Sequence, residues 1–442
     1  MDDALTRQDV GGLLDGKNAY RALAWISRDP MTMNSRNTQG RISELDSIRA
    51  LAILLVIGCH YSGFCSLFGG LPSDGWIGVD IFFVLSGFLI TSILIDLRSV
   101  QSPLRIFYIR RLLRIFPVYY LMVLIVSLLS LVCHEHLVHP GYYASRFLFL
   151  QSLRDAPVNF HRAWLTLHHA VSPDKEFARK TLPLIQMGAP LGPWGNSLGV
   201  AWSLSVEEYF YVFWAPIVLY LHDRWKVGAV ALAIFGMSAA IQYLGCRGLP
   251  DYFDFVCRID TIMAGAMLAM FLRWRRQAEI ACRRMADGFL KVLAACLIAA
   301  IAVILFANRP LLKHELRDSL SFMAFGLPAF SILLALMIGW VVERRGESSP
   351  VLRALRWRPA CYLGTISYSL YLFHLPVYYG FLRLAAQFRY AGAGARLTVS
   401  VAALLTSVLC SALSWKYFET PILRLKDRWV PAAGPDRQAN AN

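Results

Sequence analysis

Arg49 and His60 bracket the first apolar run of the chain, and a histidine closing such a run is a group that could do acid–base chemistry. From Ala50 to Cys59 no side chain is charged, as in a segment built for a bilayer. At ~1.5 Å rise and ~100° per residue, the two side chains fall on one helix face, roughly 16 Å apart along the axis. An ionisable group at that depth is costly and faces a cavity or a partner. Two readings stand side by side: a histidine satisfied by a neighbouring helix, or a general base within the membrane. The other titratable groups in apolar surroundings are Asp80, Glu207, Glu208, Arg258, Asp260 and His374. A carboxylate among them could orient an imidazole and stabilise its charge.

Positioning these groups is the task of long apolar segments. The chain has 442 residues, of which 57% are hydrophobic and only 17% charged, with a mean hydropathy of +0.47. A soluble domain carries about a quarter charged residues, so the composition is that of a polytopic membrane protein. The formal charge of +15 would suggest nucleic acid in a soluble chain. Here the positive-inside rule absorbs it, and no nucleic-acid partner is expected. The nine cysteines are odd in number, show no CxxC, and lie largely in apolar runs, where they act as small buried hydrophobes.

Apolar stretches of membrane length recur near 47–67, 76–97, 115–133, 200–221, 227–244, 257–273, 290–307, 319–342, 360–382 and 397–415. The expected fold is therefore all-α, with about ten transmembrane helices in one transmembrane domain over residues 47–425. Residues 1–46 read as a polar, disordered cytoplasmic tail, and 426–442 as a second polar tail. Met1, Met31 and Met33 remain open as starts. Alternating from an inside N-terminus, the cytoplasmic segments hold most of the 44 lysines and arginines, which puts both termini in the cytoplasm of an inner-membrane protein. On that topology His60, His374, Asp80, Asp260, Glu207 and Glu208 share the outer half of the bilayer, as a pocket open to the outer compartment would require. The long outer segment 134–199 holds His134, His136, His139, His161, His168 and His169. Without a second spaced cluster bearing carboxylate or cysteine, it reads as a wet interfacial loop, and no metal is expected.

On the inner side, Arg110-Arg111-Leu112-Leu113-Arg114 precedes Ile115-Phe116-Pro117. Guanidinium forks one helical turn apart suit a polyphosphate, while a plain positive-inside anchor is the competing reading. An inner anion clamp together with an outer histidine and carboxylate cluster fits an acyl-coenzyme A donor, with its phosphates at the arginines and its thioester carried up between helices.

At these residues the chain resembles the acyltransferase type 3 family, membrane proteins that acylate cell-envelope and exported glycans and some antibiotics and Nod factors. Arg49 with His60 resembles the family's first-helix Arg and His pair. Gly75-Trp76-Ile77-Gly78-Val79-Asp80-Ile81-Phe82-Phe83-Val84-Leu85-Ser86-Gly87-Phe88 resembles its second-helix signature, and Arg111 with Arg114, Pro117 and Tyr119 its RxxR motif. Trp202-Ser203-Leu204-Ser205-Val206-Glu207-Glu208-Tyr209-Phe210-Tyr211 is similar to its fourth-helix motif, whose regular acid matches Glu207. Arg258-Ile259-Asp260 with Gly265, Leu363 to His374, and Glu419-Thr420-Pro421 also fit. Each piece alone is weak, since such residues often only pack; seven in order over about 43–425 are specific.

The resemblance implies an O-acyltransferase, most simply an acetyltransferase, using acyl-CoA (acetyl-CoA) as donor substrate and no permanently bound cofactor. Its acceptor would be a sugar hydroxyl of a polysaccharide or glycolipid. It implies His60 as base with Glu207, donor binding by Arg49, Arg111 and Arg114, and pocket roles for Asp80, Arg258, Asp260 and His374. Structural Arg–Asp pairing is the competing reading for Arg258 and Asp260. The expected chain departs from the family in its polar N-terminal tail, its histidine-rich outer loop and the lack of the extracytoplasmic esterase-like domain some members carry. These leave the acceptor open. Two other functions compete: a proton-coupled transporter relaying through His60 and Glu207, for which no inverted repeat is seen, and a non-catalytic, flippase-like partner of a glycan pathway.

Overall fold

The apolar runs fold as helices because a bilayer leaves the backbone no other partners than its own. A computed structural model describes residues 42–67, 75, 77–133, 147–149, 197–245, 255–277, 280–307, 325–388 and 392–425. In chain order the helices are α1 (Ser43–His60), α2 (Ser62–Leu67), α3 (Ile77–Leu97), α4 (Pro103–Val132), α5 (Ala201–Tyr220), α6 (Arg224–Gly245), α7 (Phe255–Gln277) and α8 (Ile280–Ala307). They continue with α9 (Leu327–Glu343), α10 (Pro350–Leu355), α11 (Arg358–Thr365), α12 (Ser367–Gln387), α13 (Ala393–Ser414), a π-turn over Trp415–Glu419 and α14 (Thr420–Arg424). No strand occurs among the described residues.

Each of the ten apolar stretches contains a helix, but among the described residues five helices are long and apolar enough to cross a membrane: α3, α4, α6, α7 and the α13 region. The chain is thus a multi-pass membrane protein. Several boundaries differ from the sequence reading, each for a local reason. α1 starts at Ser43, inside the stretch read as a tail, because Leu45 and Ile48 are buried and the Arg356 guanidinium holds Glu44 at 2.7 Å. It ends at His60, since Tyr61 turns extended (φ −96°, ψ 107°). α4 begins at Pro103, whose missing N–H costs nothing in a first turn, so Arg111 and Arg114 lie within the helix. The ninth stretch is two helices, α11 and α12, meeting at Ile366. The terminal segments 1–41 and 426–442 and nearly all of 134–196 lie outside the described residues, and with them the six loop histidines.

α3 and α7 form the centre: 78% and 72% of their membrane-length windows are buried, against 28% for α6 and for the α13 region. Two glycines set how near they come. A Cβ on Gly87 would overlap the backbone carbonyl of Ile262, and one on Gly265 would overlap that of Val84, so the two backbones touch at a reciprocal crossing. Around it pack two apolar cores, one led by Phe83, Tyr119, Phe210 and Trp214, the other by Leu45, Leu85 and Ile338.

This crossing predicts an inverted mutational response. Alanine in place of glycine favours a helix interior by ~1 kcal/mol, and Gly236→Ala in α6, where nothing lies within 4 Å of the added methyl, should be neutral or stabilising. Gly265→Ala should instead destabilise by about 1–3 kcal/mol through overpacking. Thermal unfolding in detergent checks this; a higher midpoint for Gly265→Ala would contradict the backbone contact.

Candidate active site

The tip of α1 is pinned to α12 by the two residues that follow His60. Tyr61, fully buried, donates its hydroxyl to the His374 carbonyl at 2.9 Å. Its ring stacks on Tyr378 at 4.1 Å, and the Tyr378 hydroxyl accepts the Ser62 N–H at 2.9 Å. Next to these anchors the His60 and His374 rings meet, Nδ1 to Nε2, at 3.1 Å.

The protonation of the pair follows from what each atom can do. His374 is fully buried, and its Nδ1 lies 2.7 Å from the Tyr371 carbonyl. A carbonyl only accepts, so that nitrogen carries the hydrogen and Nε2 of the neutral ring is a lone pair. That lone pair accepts from His60 Nδ1–H, which leaves His60 Nε2 unprotonated on an exposed ring. A backbone carbonyl thus fixes the tautomer of the exposed His60 ring through an intervening imidazole. Tyr371 is itself held, its hydroxyl donating to Val200 O at 2.9 Å and lying 2.8 Å from Ser203 Oγ.

Glu207 does not fill the role expected for it. Its Oε1 accepts from Ser86 at 3.0 Å and its Oε2 from Tyr211 at 2.7 Å. The charges acting on it are Arg111 and Arg49. The expectation rested on Glu207 matching the family's regular acid and sharing the outer half of the bilayer with His60. In fact α5 directs this carboxylate towards α3 and the arginines, and His374 takes the orienting place on His60. Glu208, one residue on, has a buried Oε1 with no hydrogen-bond partner among the described residues, and it interacts with Glu207 and Arg111.

Arg49 of α1 and Arg111 of α4 act on Glu207, and Arg114, one turn further along α4, is close enough to both arginines to feel their charge. Arg111 lies over the Tyr211 ring at 5.4 Å and the Phe107 ring at 5.9 Å. Arg114 feels Arg49 and Arg111 as like charges and Glu419 and Asp46 as opposite ones. Arg49 is held by Asp46, one turn back, at 2.9 Å. Glu419 sits on the π-turn and accepts from Ser414 at 3.1 Å. Sequence reasoning did not single out Tyr211, Tyr371 or Ser86. All three fall inside the quoted motif stretches, but as aromatic and hydroxyl residues within apolar runs, where packing is the default reading.

The remaining pocket candidates are closed off. Asp80 of α3 and Arg258 of α7 form an ion pair with both side chains fully buried, and Arg258 also lies over the Phe83 ring at 5.8 Å. Asp260, equally buried, accepts from Gln242 at 3.1 Å and from the Thr261 N–H at 2.8 Å. These three tie helices together rather than line an opening, in line with the structural pairing that competed for Arg258 and Asp260. His374 alone of the four lies against His60.

Comparison with known proteins bears on this arrangement. A family model described as an acyltransferase domain matches residues 42–416. A Bacillus subtilis protein, YrhL, named as a candidate peptidoglycan O-acetyltransferase, is 27% identical over 396 residues, 86% of this chain and 55% of its own. The peptidoglycan O-acetyltransferase OatA of Listeria monocytogenes is 28% identical, covering 78% of this chain and 51% of its own. The O-acetyltransferase OatA of Staphylococcus aureus is 25% identical, covering 86% and 56%. The chain spans about half the length of these curated relatives. No solved structure matches it. With its arginine and histidine elements falling inside a match over most of its length, the chain belongs to the acyltransferase type 3 family.

Proposed function

We propose that this protein is an inner-membrane O-acetyltransferase that takes an acetyl group from cytoplasmic acetyl-CoA and places it on a sugar hydroxyl of a cell-wall or exported glycan. Ten spans with both termini in the cytoplasm complete the reading. Peptidoglycan is the favoured acceptor, because two of the relatives are named for it. The observation that carries the proposal is the chain Tyr371 carbonyl, His374, His60, which ends in an unprotonated Nε2 on an exposed ring.

The chemistry balances within that chain. His60 Nε2 removes the proton of the acceptor hydroxyl as its oxygen bonds to the thioester carbonyl carbon. His374 keeps accepting from His60 Nδ1–H, so the imidazolium is held by the same hydrogen bond as the neutral ring. The C–S bond then breaks, the ester remains on the sugar, and the coenzyme A thiolate recovers the proton from His60. Arg49, Arg111 and Arg114 would hold the donor phosphates, and Glu207 with Tyr211 would keep Arg111 in place. The roughly 16 Å between Arg49 and His60 along α1 is then a span for the donor's arm.

Two predictions follow from these roles. His60→Ala should lower acetyl transfer by roughly 10²-fold or more, the scale of a lost general base. His374→Leu should approach that loss, whereas His374→Gln, whose amide oxygen can accept from His60 Nδ1–H, should retain more. Transfer from radiolabelled acetyl-CoA to glycan by purified, equally folded variants measures this, and near-normal activity of His60→Ala or His374→Leu would remove the base. Separately, Arg111→Ala with Arg114→Ala should weaken coenzyme A binding, and lysine at both should restore it only in part, because the bidentate fork is lost while charge remains. Calorimetry showing unchanged affinity in the double alanine variant would return both residues to the role of an anchor.

A further inference from the structure

A second cationic site lies apart from the histidines, where α3 ends, α5 turns into α6, and α7 ends. It is a cavity of about 780 Å³ whose wall includes Arg98, Arg224, Arg273, Trp225 and Trp274. Its charges do not cancel. Arg273 is paired with Asp96, but Arg98 spends its donors on neutral groups, Nε to the Val218 carbonyl at 2.8 Å and Nη2 to that of Leu221 at 3.2 Å. Arg224 lies over the Trp225 ring at 5.6 Å and has no carboxylate partner among the described residues. The one acid on the wall, Asp223, caps α6 by accepting the Trp225 N–H at 2.8 Å. Burial, with added repulsion from Arg273, holds Arg98 below the ordinary arginine range.

Below the arginines the wall is apolar, including Val227, Met270 and Ile95. Such a cavity accepts an anion joined to a hydrocarbon chain, and tryptophans are the residues that sit at headgroup level. We propose that it binds the phosphate of an anionic membrane phospholipid. The guanidinium groups of Arg98 and Arg224 hold the phosphate, and one acyl chain lies along the apolar wall between α6 and α7. Basic pockets between transmembrane helices on the cytoplasmic side suit such head groups. None of these residues belongs to the histidine pair or the Arg49, Arg111 and Arg114 cluster, so the site stands or falls separately from acetyl transfer.

The test uses the full chain in nanodiscs of phosphatidylcholine doped with phosphatidylglycerol. Native mass spectrometry should find phosphatidylglycerol retained on the protein, with affinity falling about fivefold in Arg224→Gln, the contribution expected of one arginine near a lipid surface. The Arg224 side chain makes no hydrogen bond among the described residues, so this variant should fold normally; Arg98→Gln, which also frees two carbonyls, should lose more. Equal retention by wild type and Arg224→Gln would overturn the site. Protection of the protein by inorganic phosphate as strong as that by phosphatidylglycerol, in neutral nanodiscs, would overturn the lipid source and leave a soluble phosphate as the ligand.

Discussion

The hydrogen bond from His60 Nδ1 to His374 Nε2 is the contact on which the whole site turns, because it carries information in both directions. Upward, it hands the polarity of a buried helix carbonyl, that of Tyr371, to an exposed imidazole. Downward, it requires α1 to stop at His60 and α12 to run beside it without slack. The Tyr61 hydroxyl on the His374 carbonyl and the Tyr61–Tyr378 stack supply that registration. A shift of one residue in either helix would rotate a ring by ~100° and break the pair.

The rest of the bundle makes such registration possible. α3 and α7 meet backbone to backbone at Gly87 and Gly265 and are locked by the buried Asp80–Arg258 pair. A buried ion pair adds little net stability, but losing one partner strands a charge, so it fixes which faces of the two helices meet. Against this centre α1 carries both the arginine and the histidine of the site, which sets their separation by helix geometry alone.

Much of this was legible in the sequence, and the pattern of success has a physical cause. Helices were readable because apolar runs of bilayer length have one backbone solution. Arg49, His60, Arg111, Arg114 and His374 could be picked out as candidates because a charge or imidazole in such a run needs a reason to be there. The partner of His60 was not readable. Depth along a helix can be counted, but the direction a side chain faces depends on crossing angles set elsewhere, and Glu207 faces the arginines instead. The same limit separated Asp80, Arg258 and Asp260 from the open site: their depth was suitable, but glycine-mediated contact closed the space around them. The start of α1 was misread because Glu44 and Asp46 look like tail residues until their partners Arg356 and Arg49 are in place.

The central claim is that His60 presents an unprotonated Nε2 because His374 holds its Nδ1 hydrogen. Solid-state nuclear magnetic resonance of protein labelled with 15N-histidine in lipid, with the His60 signals assigned by their loss in His60→Asn, reports the tautomer directly. The account predicts a neutral His60 with a protonated Nδ1 and a bare Nε2, and a loss of that preference in His374→Leu. A His60 carrying its hydrogen on Nε2 in the wild-type protein would contradict it.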